Sequence, residues 1–276
     1  MATPDEHLTE EQWERLDQAW TEFEEGDLDR AASVVEELME ESAGHPDVRM
    51  LWAALLIEDD RPGEAIAHLE AAAGRAEDPS LLEFYRASAL FDLGAFEEAE
   101  SVLEKLSGSD VDPVARLGLR AEILEHMGRM EEADRCDEQA HAEDPEGYPL
   151  PQHLSRERFE EVVKEASDLL PEPVRERLEI LPVVIEDVPS RAILEHEGEE
   201  HISPRILGLF VGPNLREESV FEIPGIPATI FLFQRNLERA CMSPDELREE
   251  IAVTLYHELG HYLGLDEEEL EEYGVD

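Results

Sequence analysis

Four alanines, Ala31, Ala65, Ala99 and Ala133, stand 34 residues apart, and this period limits the possible folds more than any other feature of the chain. Twelve positions before each lies another alanine (Ala19, Ala53, Ala87, Ala121), and five before each lies a turn-forming residue (Gly26, Asp60, Gly94, Gly128). A bulky or ring residue three before the anchor, Leu28, Pro62, Phe96 or Met130, completes the set of columns. A fixed period of this length marks supersecondary units that bury their apolar faces on one another. Each unit reads as two helices joined by a tight turn. Gly or Asp tolerates the turn backbone, and the small alanines let the paired helices approach closely. Pro46, Pro79, Pro113 and Pro145 are expected to end the second helix of each unit, because proline cannot continue a helical ladder.

In its period and small-residue positions this stretch, residues 10 to 147, resembles the tetratricopeptide repeat. It departs from that family in the Trp and Tyr of the first helix: Trp13, Trp20 and Trp52 do not share a column. The resemblance implies a curved array whose concave face binds peptide segments or partner proteins. A self-contained solenoid that only packs against the second domain is the simpler alternative.

The period stops in Asp144 to Gln152, a Pro-rich and Gly-containing run that reads as a linker. The expected domains are therefore 1–147, a helical-repeat array, and 148–276, a smaller α/β domain. Beyond the linker a helix is expected from Ser155 to Leu170 and a short one from Pro173 to Leu178. Strand signals follow at Leu181–Val188, Arg205–Val211, Ser219–Ile223 and Ala228–Gln234, enough for a small mixed sheet. Ala228–Gln234 is the candidate for an edge strand that aligns a substrate backbone.

The clearest helix start in the second half is Ser243-Pro244-Asp245-Glu246, a capping box with proline in the first turn, and Gly264 supplies a C-terminal stop. Within this helix lies His257-Glu258-Leu259-Gly260-His261. Histidines four apart share one helix face, so their imidazoles can converge on a single ion, which points to Zn2+. Glu258 lies about 100° round from His257, beside the ion without ligating it, and is the candidate general base. Ile251, Leu255, Leu259 and Leu263 form the opposing apolar stripe. A catalytic zinc takes a third protein ligand. The span to Glu267 reads HExxHxxGxxE, similar to the extended metzincin pattern with a carboxylate in place of the third histidine; Glu267 is the expected ligand and Asp266 the alternative, Asp266 being also a good N-cap. No Met turn follows. His196 and His201 offer a weaker second metal site, and Tyr262 and Tyr273 are candidate oxyanion donors.

From Phe159 to Tyr273 the chain resembles the small bacterial zincin-like metallopeptidases. The matching stretches are Leu207-Gly208-Leu209-Phe210, Ile230-Phe231-Leu232-Phe233 and Tyr256 through Leu270. The resemblance implies zinc and a peptidase-type fold. The expected function is thus a zinc-dependent peptide-bond hydrolase carrying a protein- or peptide-binding module. Two rivals stand beside it: an interaction adaptor whose zincin domain is structural, and a metal-dependent hydrolase of non-peptide substrates.

Charge narrows the partners. With 71 acidic against 22 basic side chains the formal charge is −49, which repels nucleic acid and anionic membrane and favours a basic peptide or protein. Acidic residues run along the whole length, as on a solvated surface, and a saline habitat would account for them. No run approaches the roughly 18 apolar residues of a membrane span, and a cytoplasmic location is expected. Cys136 and Cys241 stand alone, outside any CxxC pair, and read as two buried reduced thiols.

Overall fold

All eight column alanines are completely buried, at 0% exposure, which is the physical content of the 34-residue period. A side chain larger than a methyl group at any of them would hold two helices apart. The computed structural model describes residues 7–42, 44–195, 201–214, 219–221 and 227–265. The chain divides into two compact units, Met1–Cys136 and Asp137–Asp276.

In the first unit helices alternate in antiparallel pairs: α1 (Glu10–Glu24) with α2 (Leu28–Ser42), α3 (Pro46–Glu58) with α4 (Pro62–Ala72), α5 (Pro79–Asp92) with α6 (Phe96–Lys105), and α7 (Pro113–His126) with the start of α8 (Met130–Glu143). The four hairpins close identically. The turn residue adopts positive φ in every one, 81° at Gly26, 52° at Asp60, 72° at Gly94 and 72° at Gly128. The amide after it returns to the carbonyl five residues earlier, at 2.8 Å for Asp27 to Glu22, 2.8 Å for Arg61 to Leu56, 2.9 Å for Ala95 to Leu90 and 2.8 Å for Arg129 to Leu124. This is the Schellman closure that satisfies the last carbonyls of a helix. The bulky column residues Leu28, Pro62, Phe96 and Met130 each begin the second helix of a pair.

Three of the four prolines act differently from the expectation, while Pro145 follows the end of α8. Pro46, Pro79 and Pro113 occupy the first turn of α3, α5 and α7, and so open the next unit instead of closing the last. At that position the missing N–H has no intrahelical partner to lose, and the fixed φ is already helical. Asp78 and Asp112 cap two of these starts, each accepting from two backbone amides.

The second unit begins in the latter half of α8. It continues with α9 (Arg156–Ser167), α10 (Glu172–Leu178), β1 (Val183–Glu186), α11 (Arg191–Leu194), β2 (Gly208–Pro213), β3 (Ser219–Phe221), β4 (Thr229–Phe233), α12 (Gln234–Ala240) and α13 (Pro244–Leu263). The sheet is mixed, in the order β1-β4-β2-β3. β4 runs parallel to β1, with Val183 opposite Ile230, and antiparallel to β2, with Phe210 opposite Ile230. It is therefore interior and buried throughout, so it cannot be the substrate-aligning edge expected of Ala228–Gln234. A strand with apolar residues at every position is buried on both faces, and that pattern marks a sheet centre.

The two-residue alternation of the strands divides the core. Phe210, Ile230 and Leu232 face α9 and α13, meeting Phe159, Val162, Ile251, Leu255 and Leu259. Val211, Phe231 and Phe233 face the other way and pack on Ile193, Ile202 and Ile206. The sheet thus anchors α13 along most of its length and fixes what its remaining face can hold.

Candidate metal centre

Ser243 starts α13 as expected, its hydroxyl accepting the Glu246 N–H at 3.2 Å. The reciprocal arm is shifted by one residue from a capping box, since the Glu246 carboxylate accepts from the Met242 N–H at 2.7 Å. At the far end Gly264 has φ of 86°, and the Leu265 N–H returns to the Gly260 carbonyl at 3.0 Å. Between these stops Ile251, Leu255 and Leu259 are fully buried, as the stripe requires, while Leu263 is only partly covered.

His257 and His261 are half-buried and point at each other. Their Nε2 atoms are 3.0 Å apart, with the rings nearly perpendicular at 79°. At that separation the two nitrogens either share a proton or accept one cation. Two imidazole nitrogens on a tetrahedral zinc, each at about 2.0 to 2.1 Å, stand roughly 3.3 Å apart. The pair is within a few tenths of an ångström of that spacing and fits such an ion.

Glu258 is buried, at 6% exposure, and is held from the sheet: its Oε2 accepts the Phe210 N–H at 2.6 Å. β3 pairs with β2 at Gly212 and Pro213, and two residues earlier the β2 backbone turns its hydrogen bond over to the helix. Gly208 supplies the room. A Cβ there would lie 2.5 Å from Thr254 Cγ2, 3.1 Å from Glu258 Cγ and 3.2 Å from Glu258 Oε1. Thr254 is itself fixed, its hydroxyl donating to the Glu250 carbonyl at 2.9 Å.

The remaining candidates separate cleanly. Glu267, Asp266, Tyr273 and His196 lie outside the described residues. His201 is exposed. Tyr262 packs beside Phe210, with ring centroids 5.7 Å apart, in the core. Cys136 is buried and Cys241 half-buried, both reduced; burial pushes the Cys241 thiol up to about 11, with Glu250 and Glu246 adding to the rise. A thiol raised in this way is a weak nucleophile near neutral pH.

A second polar cluster in the same unit had no signature in the sequence beyond Gln234 and Glu238, four apart in a short helix that follows an apolar strand. Glu238, almost fully buried, accepts from the Gln234 amide at 2.7 Å and the Leu154 N–H at 2.9 Å, and meets His153 Nδ1 at 2.9 Å. Arg239 grips Asp137 with both terminal nitrogens, at 2.9 and 2.8 Å, and the Tyr148 hydroxyl donates to the same carboxylate at 2.7 Å. Burial alone would raise Asp137, but its bonds to His153 and Arg239 hold it below the usual carboxylate range. Burial alone would lower His153, but Asp137 and Glu238 hold it above the usual imidazole value.

Residues 178–275 match the family model described as zincin-like metallopeptidase, and residues 22–85 match the tetratricopeptide repeat. No curated protein matches the chain. A solved structure titled "Functional Characterization of Pseudomonas Aeruginosa pilF" is similar at a TM-score of 0.41 and 13% identity over 49% of this chain. The match spans 61% of that chain's length. Among the described residues, no helix is long and apolar enough to cross a membrane. The chain therefore carries one region, 22–85, that matches the tetratricopeptide repeat and another, 178–275, that matches the zincin-like metallopeptidase family.

Proposed function

We propose that the C-terminal domain hydrolyses peptide bonds with a zinc ion held by His257 and His261, and that the repeat region recruits the protein or peptide substrate. The observation that carries this reading is the facing pair of Nε2 atoms, 3.0 Å apart on a helix whose intervening glutamate is pinned by the sheet. Glu267 is the proposed third ligand, with Asp266 as its alternative. Bound there, zinc would supply Lewis acidity, acidifying a water and polarising the scissile carbonyl. Glu258 takes the proton from the attacking water as the oxygen–carbon bond forms. It returns that proton to the amide nitrogen as the carbon–nitrogen bond breaks. The Phe210 N–H orients the carboxylate for both transfers, because it fixes one oxygen and with it the rotamer. The protein's charge favours a basic substrate, and its lack of any long apolar helix among the described residues is consistent with a cytoplasmic setting.

The second reading, an adaptor with a structural zincin domain, draws on one observation: Glu258 already has an oxygen committed to a backbone amide. Chelator-sensitive cleavage of a peptide library by the full chain, compared with Glu258→Gln, separates the two. Gln keeps the acceptor for Phe210 but not the base, so the hydrolase reading expects turnover to fall by about 10²- to 10⁴-fold with the fold intact. Equal and undetectable turnover in both proteins would leave the adaptor. Turnover of esters or small amides alone would point to the non-peptide hydrolase.

A further inference from the structure

A cavity of about 440 Å³ lies in the repeat region between the entry to α1, the start of α3 and the segment before α5. Its rim is formed by the exposed side chains of His7, Arg75 and Glu77, and its floor by Leu8, Trp13, His45, Pro46 and Asp47. Two floor residues are polar and more than nine-tenths buried: the side chains of His45 and Asp47 are 7% and 6% exposed. Asp47 Oδ1 accepts the Glu77 N–H at 2.9 Å. Asp47 Oδ2 and His45 Nδ1 have no hydrogen-bond partner among the described residues, and at 3.6 Å they lie within ion-pair reach of each other but beyond hydrogen-bond distance. His45 occupies the N-cap position of α3 without capping it. Leaving a buried acceptor unmade is costly in a folded protein, and two such atoms on residues that line one cavity mark a place where a donor belongs.

The chemistry of the walls selects the donor. Burial lowers His45 below the usual imidazole value, which favours the uncharged ring, and an uncharged imidazole keeps one nitrogen free to accept. Asp47 and Glu77 contribute two carboxylates, against the Arg75 guanidinium, which donates to the Ala71 carbonyl. Trp13 meets the His45 ring edge-on at 5.3 Å and gives the floor an aromatic wall. Acceptors, an indole and a strongly negative chain suit a compact cation with several N–H donors.

We propose that this cavity binds a protonated primary amine, presented by a free alkylamine or by a lysine side chain. The ammonium donates to Asp47 Oδ2 and His45 Nδ1, and its alkyl stem lies against Trp13 and Leu8. Both acceptor atoms are closed to water as found, so entry needs the side chains that cover them to move. The site is independent of the hydrolase reading, since none of its residues belongs to the zincin domain.

Calorimetric titration of the full chain with n-butylamine, with an acetylated and amidated Gly-Lys-Gly peptide, and with the same peptide carrying norleucine tests the proposal. Saturable binding of either amine is expected, with none by norleucine. Butylamine and the lysine peptide binding alike indicates a small-amine site; the peptide binding alone indicates a basic segment. Asp47→Asn keeps an acceptor for the Glu77 N–H and is expected to weaken binding about tenfold or more. Glu77→Gln should weaken it severalfold, and Glu160→Gln in the other unit should leave it unchanged. The inference is overturned if neither amine binds, if norleucine competes equally, if Asp47→Asn and Glu77→Gln both bind as wild type does, or if Zn2+ binds there and the amines do not.

Discussion

Replacing Gly208 with alanine asks whether the spacing between strand and helix holds the candidate base in place. The added methyl carbon would stand 2.5 Å from Thr254 Cγ2, closer than carbon atoms tolerate, and 3.1 and 3.2 Å from two atoms of Glu258. Thr254 cannot swing away cheaply, because its χ1 is stiff and its hydroxyl is tied to Glu250 at 2.9 Å. Overpacking of this kind costs about 1–3 kcal/mol. Alanine also restricts the unfolded chain, which offsets about 0.4–1 kcal/mol. The net expectation is a loss of about 1–2 kcal/mol, measured by urea unfolding. Thr254→Ser removes the offending methyl while keeping the hydroxyl, so the double variant should recover about 1 kcal/mol of that loss in a double-mutant cycle. Zinc affinity should fall in the single variant, because Glu258 has to yield as well. A Gly208→Ala protein as stable as wild type, or a cycle with no coupling to Thr254, refutes the reasoning.

Three further outcomes are expected. His153 has a raised native pKa between Asp137 and Glu238, so its contribution is fully present below the unfolded value of about 6.5 and is lost as pH rises through the native value; the stability of wild type relative to His153→Gln should decline over that upward interval, and a pH-independent difference would contradict it. Asp60 holds φ of 52° in an exposed turn whose counterparts are glycines, so Asp60→Gly should match or exceed wild-type stability, by up to about 1 kcal/mol in chemical denaturation; a clear loss would show that the Asp60 side chain matters more than its backbone. With a formal charge of −49, raising salt from about 0.1 to about 2 M should raise the melting temperature, and a salt-independent transition would remove self-repulsion as a determinant of stability.

The repeat was legible because its constraint recurs four times at constant spacing: a methyl-sized residue at each contact and a positive φ at each turn. The histidine pair was legible for a similar reason, since both residues sit on one helix and sequence distance becomes geometry directly. Strand existence could be read from apolar runs, but strand order could not, and β4 moved from presumed edge to sheet interior. Pro46, Pro79 and Pro113 were misplaced because sequence marks a boundary between helices without saying which one owns it. What stayed hidden depends on distant partners. His153 reaches Glu238 across 85 residues of sequence and Arg239 reaches Asp137 across 102, and no local pattern announces such bonds. Gly208 likewise looks like an ordinary strand glycine until Thr254 and Glu258 are seen beside it.

The Phe210 amide carries a consequence for observation. Because its proton is bound to the Glu258 carboxylate at 2.6 Å, one backbone resonance is coupled to one side chain 48 residues away. Any event that displaces the glutamate, whether an ion entering between the histidines or a substrate drawing off the carboxylate, must shift that signal and quicken its exchange with water. A nitrogen-15 spectrum of the chain therefore contains an internal gauge of the site that requires no substrate and no prior assignment of the domain's activity.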